Sequence, residues 1–539
     1  MKENEILIKE LIKSSAKTPN VLAKIKRKVA KKYKIPYPNN VDLLKAYHKL
    51  VKKKIIKKTA VLEKLLKTRP VRSLSGIVNI SVLTKPYPCP GKCLYCPQEN
   101  AIPKSYVSGE PAVERAKALK YDPYLQVKKR IEMLENQGHP TDKIELRIVG
   151  GTWSFYPKKY QIWFIKRCFD ACNKKTSMTK SGVKENRRNN KAMAFLLRLL
   201  NKSQKLNEKS KHRIIGLSVE TRPDFIDFKE IKWLRKLGVT MVELGVQSIY
   251  DDVLKINLRG HGVKEIIFAT KLLKDAGFKV LYQMMPNLPG SNLKKDEEMF
   301  EELFKNPDFQ PDYLKIYPCA LLKEAPLYKL WKEGKYKPYT QKQLISLIKS
   351  IKQKIPYYIR IQRIARDIPA KSIITGPAKI SNLRQVLAEK MKNEGWHCKC
   401  IRCREVREKY NPKEMFCLFR EDYEASGGKE IFLSYENKKR TRLYSLLRLR
   451  IPYFVFLPVL KGAAIIREVH TYGESVPIGT KKLSPQHRGL GKKLIQMAEK
   501  IIKKDFCIKK IAVISGIGAR DYYRKLGYKL KDTYMVKNV

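Results

Sequence analysis

Short runs of β-branched and apolar residues alternate with longer segments of helical periodicity between residues 76 and 365. Repeated strand-then-helix order is typical of a parallel sheet, either open or closed into a barrel. We therefore predict an α/β domain over residues 76–365, with its ligands at the carboxyl ends of the strands. The runs that we predict as strands are IVNISVLT, KIELRIVGG, IIGLSVET, VTMVELGVQ, FKVLYQMMP and PDYLKIYP.

The segments on either side of this region follow other patterns. Residues 1–75 combine dense lysine with apolar residues at helical spacing and predict a basic helical region. Residues 366–425 form a charged, cysteine-rich connector, and residues 426–539 alternate strand-like and helix-like runs, which predicts a second α/β domain. We find no run of about 18 apolar residues and no signal peptide, so we expect a cytoplasmic protein without a membrane span.

The charge of the chain favours a polyanionic partner. Lysine and arginine total 114 against 51 acidic residues, a formal net charge of +63. Nucleic acid is the polyanion we expect, with residues 1–75 as an arm that binds phosphates and supplies affinity rather than sequence choice. The alternative is a general drift toward lysine, since the lysines are spread along the whole chain.

Six of the 11 cysteines fall into two tight clusters, and the first directly follows a predicted strand. Cys89, Cys93 and Cys96 have the spacing C-x3-C-x2-C, which can bind three irons of an iron–sulfur cube and leave the fourth open. This spacing is the signature of the radical-SAM superfamily, in which S-adenosylmethionine (SAM) chelates the open iron of a [4Fe-4S] cluster. A zinc knuckle with a remote fourth ligand is the alternative.

A second motif, SPQHRGLGKKL, places a glycine-containing loop at the start of a helix, where backbone N–H groups can cradle an anion. It resembles the pyrophosphate loop of the GNAT acetyltransferases, and IAVISGIGARDYYRKLGY follows with the strand and tyrosine-bearing helix of that fold. A plain loop, and tyrosines that only pack a core, are the alternatives. The residues we assign to acetyl-CoA are Gln486, His487, Arg488, Gly489, Leu490 and Gly491, with Tyr522 and Tyr523 near the thioester.

A radical-SAM motif and a GNAT-like motif on one chain resemble the Elp3 family, which comprises the Elongator catalytic subunit and stand-alone tRNA uridine carboxymethyltransferases. The similarity covers about residues 70–539 and includes TKPYPCPGKCLYCP, LSVETRPD, NLRGH, REVHTYG and QHRGLG. It implies a partial TIM-like barrel joined to a GNAT domain. The implied reaction joins the methyl carbon of acetyl-CoA, activated by a deoxyadenosyl radical, to C5 of the wobble uridine U34. Re-oxidation and thioester hydrolysis then leave 5-carboxymethyluridine.

The resemblance also implies roles for single residues. Lys279 and Tyr317 correspond to the residues that activate acetyl-CoA, and we expect them to face the same barrel interior. The reaction needs an electron donor, and the resemblance is compatible with a chain that acts alone, as a homodimer or with accessory subunits. The residues that the resemblance assigns to SAM are Gly150, Gly151, Thr152, Glu220 and Gln247.

The second cysteine cluster, CKCIRC, resembles a zinc site of microbial family members. Zinc prefers four tetrahedral ligands, and Cys398, Cys400 and Cys403 supply three of them. We expect Cys319 to be the fourth, because it would tie the connector to the barrel, with His397 as the alternative ligand. Such a site would be structural, and unligated buried thiols are the other interpretation.

Two further functions are compatible with parts of the sequence. A protein lysine acetyltransferase would need a general base near the amine, and we find no clear acidic candidate in residues 426–539. The charge of +63 also disfavours basic protein tails as substrates. A non-catalytic RNA-binding subunit is disfavoured by the intact cysteine motif and the intact QHRGLG loop.

Overall fold

The computed structural model describes residues 2–14, 18–173, 190–380, 382–407, 414–473 and 489–539. Its first elements are four helices, α1 Lys2–Lys13, α2 Pro19–Lys32, α3 Asn40–Lys52 and α4 Ala60–Leu66. The apolar faces of these helices pack on one another around the fully buried Tyr47 and Leu43, and most of the lysines remain outside. The predicted basic helical region is therefore present, and its packed apolar faces explain why the helical periodicity is strong.

Seven parallel strands follow, each hydrogen-bonded to the next in chain order. Among the described residues the two edge strands, β1 and β7, do not pair with each other, so the sheet is a half-barrel with one open side. This confirms the predicted α/β fold. The strands are β1 Val78–Leu83, β2 Lys143–Val149, β3 Arg213–Thr221, β4 Met241–Gln247, β5 Lys279–Met284, β6 Tyr313–Ile316 and β7 Arg360–Ile364.

Amphipathic helices connect the strands and cover the outer face of the half-barrel, and the buried core lies between the helices and the sheet. None of the described helices is long and apolar enough to cross a bilayer. The helices are α5 Pro111–Ala118, α6 Pro123–Asn136, α7 Lys158–Cys172, α8 Asn190–Asn207, α9 Phe228–Leu237, α10 Asp251–Ile256, α11 Val263–Asp275, α12 Leu293–Lys305, α13 Leu327–Lys332 and α14 Gln341–Lys354.

A second sheet of seven strands has the order β13-β14-β12-β11-β10-β9-β8, with one parallel pair, β11 and β12. Strand β8, Cys417–Glu424, is the first strand of this sheet along the chain and lies inside the segment predicted as a connector. The connector therefore ends earlier than residue 425. The connector contributes α15 Leu383–Asn393 and α16 Ile401–Arg404, and α17 Leu490–Phe506 packs on β10 and β11. The remaining elements are β8 Cys417–Glu424, β9 Gly428–Glu436, β10 Leu443–Pro452, β11 Ala463–Thr471, β12 Lys510–Val513, α18 Arg520–Arg524, β13 Lys529–Lys531 and β14 Tyr534–Asn538.

The second sheet covers the amino-terminal end of the half-barrel. Tyr313, the first residue of β6, donates a hydrogen bond to Glu468 of β11, and Arg467 donates one to the carbonyl of Phe278 at 2.6 Å. Arg467 also forms a fully buried ion pair with Asp312. Removal of one partner from such a pair leaves an uncompensated buried charge and typically costs about 3–5 kcal/mol. Charged and polar groups at this end of the half-barrel thus find their partners on the second sheet, and these contacts hold the two sheets together.

Candidate functional site

The loop after β1 brings the first three cysteines to the carboxyl end of the half-barrel. A Cβ added to Gly91 would lie 3.5 Å from the Cys93 Sγ atom, 3.7 Å from the Cys89 Sγ atom and 2.6 Å from Nη1 of Arg222. A side chain at position 91 would therefore displace either the Arg222 guanidinium or the loop. Burial and the neighbouring thiols of Cys93 and Cys89 raise the pKa of Cys96 to about 11. Cationic irons would offset that penalty, so the donor set fits an iron–sulfur cluster.

The glycines assigned to SAM lie beside these thiols. Gly150 follows β2 with φ +126°, and a Cβ there would be 2.1 Å from Oγ1 of Thr84. That hydroxyl donates to the Gly150 carbonyl at 2.9 Å, while Gly151 also has a positive φ of +85°. The hydroxyl of Thr152 is 3.6 Å from the Cys89 sulfur. The structure thus brings the glycine turn and the cysteine loop together at adjacent strand ends.

Glu220, at the end of β3, is held by three donors. Tyr106 donates to it at 3.2 Å, Gln283 at 3.1 Å and Lys315 at 3.2 Å. Arg222 does not pair with Glu220. It forms a bidentate ion pair with Asp224 at 2.9 and 2.8 Å, and its buried Nη1 has no hydrogen-bond partner in the described part of the chain.

Gln247, at the end of β4, is buried and has φ +69°, a conformation that non-glycine residues rarely adopt. Its Oε1 atom has no hydrogen-bond partner among the described residues. A strained backbone and an unpaired buried oxygen at a strand end are typical of a ligand contact. The position of Gln247 therefore fits the role that the resemblance assigns to it.

Sequence reasoning assigned no role to Arg259, although its motif NLRGH was part of the resemblance. The buried Arg259 guanidinium lies with Nη1 3.2 Å from the Cys93 sulfur, and it also donates to the carbonyl of Gly245. Burial opposes its charge, but the neighbouring Tyr95 and Cys93 outweigh burial and raise the pKa of Arg259 above its ordinary value. The fold therefore holds a cation next to the Cys93 sulfur of the cysteine loop.

Lys279 and Tyr317 line the same cavity of about 1460 Å³, but at opposite ends of it. Lys279 is the first residue of β5 and Tyr317 directly follows β6, and parallel strands place these positions at opposite edges of the sheet. Lys279 acts on Glu468 of the second sheet. Burial alone would raise the pKa of Glu468, but the positive charges of Lys279 and Arg448 outweigh burial and lower that pKa to about 2. Lys279 thus faces the second sheet, while Tyr317 lies near the cysteine loop.

The described part of the acetyl-CoA motif begins α17. Gly489 has φ +69°, and a Cβ on Gly491 would lie 3.3 Å from the Tyr522 hydroxyl. Both glycines and both tyrosines line the large cavity, but Tyr523 is buried in the core of the second sheet and Tyr522 is 42% exposed. Tyr522 is therefore the tyrosine whose hydroxyl is placed at the loop. Leu490 is buried, and Gln486, His487 and Arg488 lie outside the described residues.

The connector cysteines form a compact group. The thiols of Cys398, Cys400 and Cys403 all lie within 4.8 Å of one another. Burial opposes ionisation of Cys400, but hydrogen bonds from Cys398 and Cys403 outweigh it and hold the pKa of the Cys400 thiol well below its ordinary value. Three such thiols fit a zinc ion. The ammonium of Lys352 is 3.5 Å from the Cys403 sulfur.

The structure corrects our choice of Cys319 as the fourth ligand. Cys319 lies in a separate apolar cluster, where its thiol meets Tyr336 and burial raises its pKa to about 12. The thiol group described above includes neither Cys319 nor the exposed His397. The loop after β6 contacts the connector at another point, where Leu322 and Ile373 form an isolated β-bridge, and the sequence does not reveal this path.

Comparison with known proteins agrees with this geometry. Residues 87–303 match the model of the Radical SAM superfamily, and residues 311–393 match that of the Radical_SAM C-terminal domain. The half-barrel and its cysteine loop are thus those of a radical SAM protein.

Relatives that match nearly the whole chain show which family of radical SAM proteins it resembles. The tRNA uridine(34) acetyltransferase of Methanocaldococcus infernus is 44% identical over 99% of this chain and 98% of its own length. Human Elongator complex protein 3 is 38% identical over 98% of this chain and 96% of its own length. The solved structure of M. infernus Elp3 with an N-terminal deletion superposes with a TM-score of 0.73 at 43% identity, and the match covers 87% of this chain and 100% of that one. The chain belongs to the Elp3 family.

Proposed function

We propose that this protein carboxymethylates C5 of the wobble uridine U34 of tRNA, with acetyl-CoA as the carbon donor and SAM as the radical source. One observation carries the proposal. A single cavity of about 1460 Å³ is lined both by the cysteine loop and by the glycines that begin α17. A long, thin coenzyme bound at the second sheet can therefore extend its acyl end toward the radical site. The names of the relatives support tRNA uridine 34 as the substrate.

Cys89, Cys93 and Cys96 would hold the [4Fe-4S] cluster. With an electron from an external donor, the bound cluster and SAM would supply radical chemistry at this loop. Gly150, Gly151 and Thr152 line the turn beside Cys89, where backbone groups can approach a ligand closely. Glu220 is fixed by its three donors, so its carboxylate is preorganised to accept hydrogen bonds from an amino or ribose group.

Gly489, Leu490 and Gly491 would contribute backbone N–H groups to the phosphates of acetyl-CoA at the start of α17, together with Gln486, His487 and Arg488 of the same motif. Tyr522 would lie beside the coenzyme, while Tyr523 supports it from the core. Lys279 would place a positive charge along the path of the acyl arm, and the Tyr317 hydroxyl would donate a hydrogen bond near the cysteine loop. The barrel interior thus offers polar contacts along its length.

Cys398, Cys400 and Cys403 would hold a structural zinc ion that fastens the connector to the barrel. Lys352 lies next to the three thiols and balances their negative charge. The connector also contacts β7 through α16, so the site would stabilise the junction between the two sheets. We propose a cytoplasmic enzyme that needs an electron donor and acts alone, as a homodimer or with accessory subunits.

An anaerobic assay tests the proposal. Reconstituted protein is incubated with SAM, dithionite, acetyl-CoA and unmodified tRNA, and the digested nucleosides are examined by mass spectrometry. We expect carboxymethyluridine together with 5′-deoxyadenosine, and neither product from Cys93→Ser. Acetylated protein or RNA without a modified uridine, from a preparation with an intact cluster, would refute the proposed reaction.

A further inference from the structure

Four arginines surround one rim of the large cavity, on the β1 side of the open half-barrel. Arg69 and Arg72 lie in the segment between α4 and β1, Arg115 lies on α5 and Arg130 on α6, and both helices pack on β1. All four side chains line the cavity. We call this group the arginine rim.

The arginine rim has no paired carboxylate within the described residues. Arg130 Nη1 contacts the sulfur of Met133 at 2.9 Å, and Arg72 donates to the neutral amide of Gln137. Burial and repulsion from the other three arginines lower the pKa of Arg130 to about 10. Asp367, the acidic group that acts on Arg115, is already bonded to Arg363 at 2.6 Å. Four like charges thus lie close together, and none of them forms an ion pair with a carboxylate in the described part of the chain.

The opposite rim of the same opening, on the β7 side, is different. Its arginines each form an ion pair with a carboxylate, and two of them, Arg360 and Arg402, share Glu405. The two rims therefore differ, because the arginines of the β1 side have no carboxylate in an ion pair among the described residues. The pairs are Arg360–Glu405 at 2.7 Å, Arg363–Asp367 at 2.6 Å, Arg366–Glu110 at 3.0 Å and Arg402–Glu405 at 2.9 Å.

We propose that the arginine rim binds consecutive backbone phosphates of the RNA substrate and thereby positions the strand at the open side of the half-barrel. Planar guanidinium groups bind phosphate oxygens in bidentate geometry, and clustered arginines without carboxylates need such an anion. This inference rests on the proposed function, because it assumes an RNA substrate that enters from the open side.

Phosphate could also come from acetyl-CoA, but two observations favour the RNA. The anion cradle at Gly489 and Gly491 lies on the second sheet and offers a separate place for the coenzyme phosphates. The arginine rim is also continuous with the basic helical region, since α3 packs against α6 and exposed lysines follow along α3 and its end. Basic side chains that extend from the cavity to the helical region can contact several phosphates of one nucleic-acid strand.

The test compares two variants that remove the same charge from α6 and its surroundings. Arg72→Gln with Arg130→Gln removes two members of the arginine rim. Lys128→Gln with Lys129→Gln removes two exposed charges from the solvent side of α6, outside the cavity. The affinity for unmodified tRNA is measured between 50 and 300 mM salt, and that for acetyl-CoA by calorimetry. Iron content and melting temperature report whether each variant is folded, and Arg115→Gln alone provides a milder substitution.

We expect the arginine variant to bind tRNA roughly tenfold more weakly, with a salt slope smaller by about two, because each phosphate contact contributes about one to the slope. Its affinity for acetyl-CoA should be unchanged, and the lysine pair should have the smaller effect. Weaker acetyl-CoA binding with normal tRNA binding would overturn the inference and assign the rim to the coenzyme. Equal slopes in the two double variants would also overturn it. Production of carboxymethyluridine by the wild type tests the proposed function separately.

Discussion

A methyl group at position 91 has no room in the cysteine loop, and Gly91→Ala should therefore impair cluster binding. The new Cβ would lie 2.6 Å from Nη1 of Arg222, well inside the usual contact distance of about 3.5 Å. Arg222 is buried, and it donates two hydrogen bonds to Asp224 at 2.9 and 2.8 Å, so the guanidinium cannot move away without losing them. Either the Arg222–Asp224 ion pair breaks or the cysteine loop moves.

Moving the loop is the cheaper route, because moving the Arg222 guanidinium would lose both of its hydrogen bonds to Asp224. Each hydrogen bond to a charged partner contributes about 1.5–3 kcal/mol, and overpacking of a dense site costs about 1–3 kcal/mol. If the loop moves, it does so by nearly 1 Å, which is far more than the ~0.2 Å tolerance of metal–ligand distances. We expect a loss of about 1–3 kcal/mol in stability and a fall in iron bound per chain after anaerobic reconstitution.

Iron content is measured together with the urea unfolding curve, and Gly334→Ala is the matched control. Gly334 has φ +71° with nothing within 4 Å of its added Cβ, so that substitution strains the backbone without crowding a neighbour. It should retain its iron. The double variant Gly91→Ala with Arg222→Ala should recover part of the loss. Full iron in Gly91→Ala, or strictly additive losses in the double variant, would refute this explanation of the loop.

Three other predictions address the zinc site, the acid stability and the basic helical region. Cys398→Ser should release zinc, whereas Cys319→Ser should keep it, as measured by metal analysis; the reverse result would restore the original choice of ligand. Burial, with help from Lys67, lowers the pKa of His139 to about 4 from 6.5. The unfolded chain therefore binds a proton at His139 more readily than the folded chain does. The contribution of the neutral His139 to stability is full above pH 6.5 and is lost as the pH falls toward 4. His139→Gln should flatten the stability profile over that range, and an unchanged profile would show that His139 has the same pKa in the folded and unfolded chain. Deletion of residues 1–72 should weaken tRNA binding and reduce its salt slope; equal slopes would mean that these helices are merely solvated.

The strands were largely predictable, and the exception is informative. Each of the six apolar runs contains one strand of the half-barrel, because buried parallel strands produce near-continuous apolar segments. The seventh, β7, has the sequence Arg360-Ile-Gln-Arg-Ile364 and was not predicted. Its polar residues face the cavity or pair with carboxylates, as Arg360 does with Glu405, and this hides the strand from an analysis of hydrophobicity.

The site was predictable where the chemistry is local. Cys89, Cys93 and Cys96 lie on one short loop, Cys398, Cys400 and Cys403 on another, and Gly150 and Gly151 in one turn. Spacing along the chain is enough to bring such residues together. Arg259 escaped assignment because nothing in NLRGH shows that its side chain meets Cys93, 166 positions earlier in the chain.

By itself, the sequence determined the order of strands and helices, the basic helices at the amino end, both cysteine clusters and the glycine turns. These are consequences of periodicity and short-range spacing, which a chain carries locally. Only the tertiary structure decided that Lys279 and Tyr317 lie at opposite ends of one cavity and that Cys319 is remote from the connector thiols. It also decided that four arginines meet without a carboxylate. The physical reason is that strand direction, loop path and burial bring distant residues together, and each of these depends on how the whole chain packs.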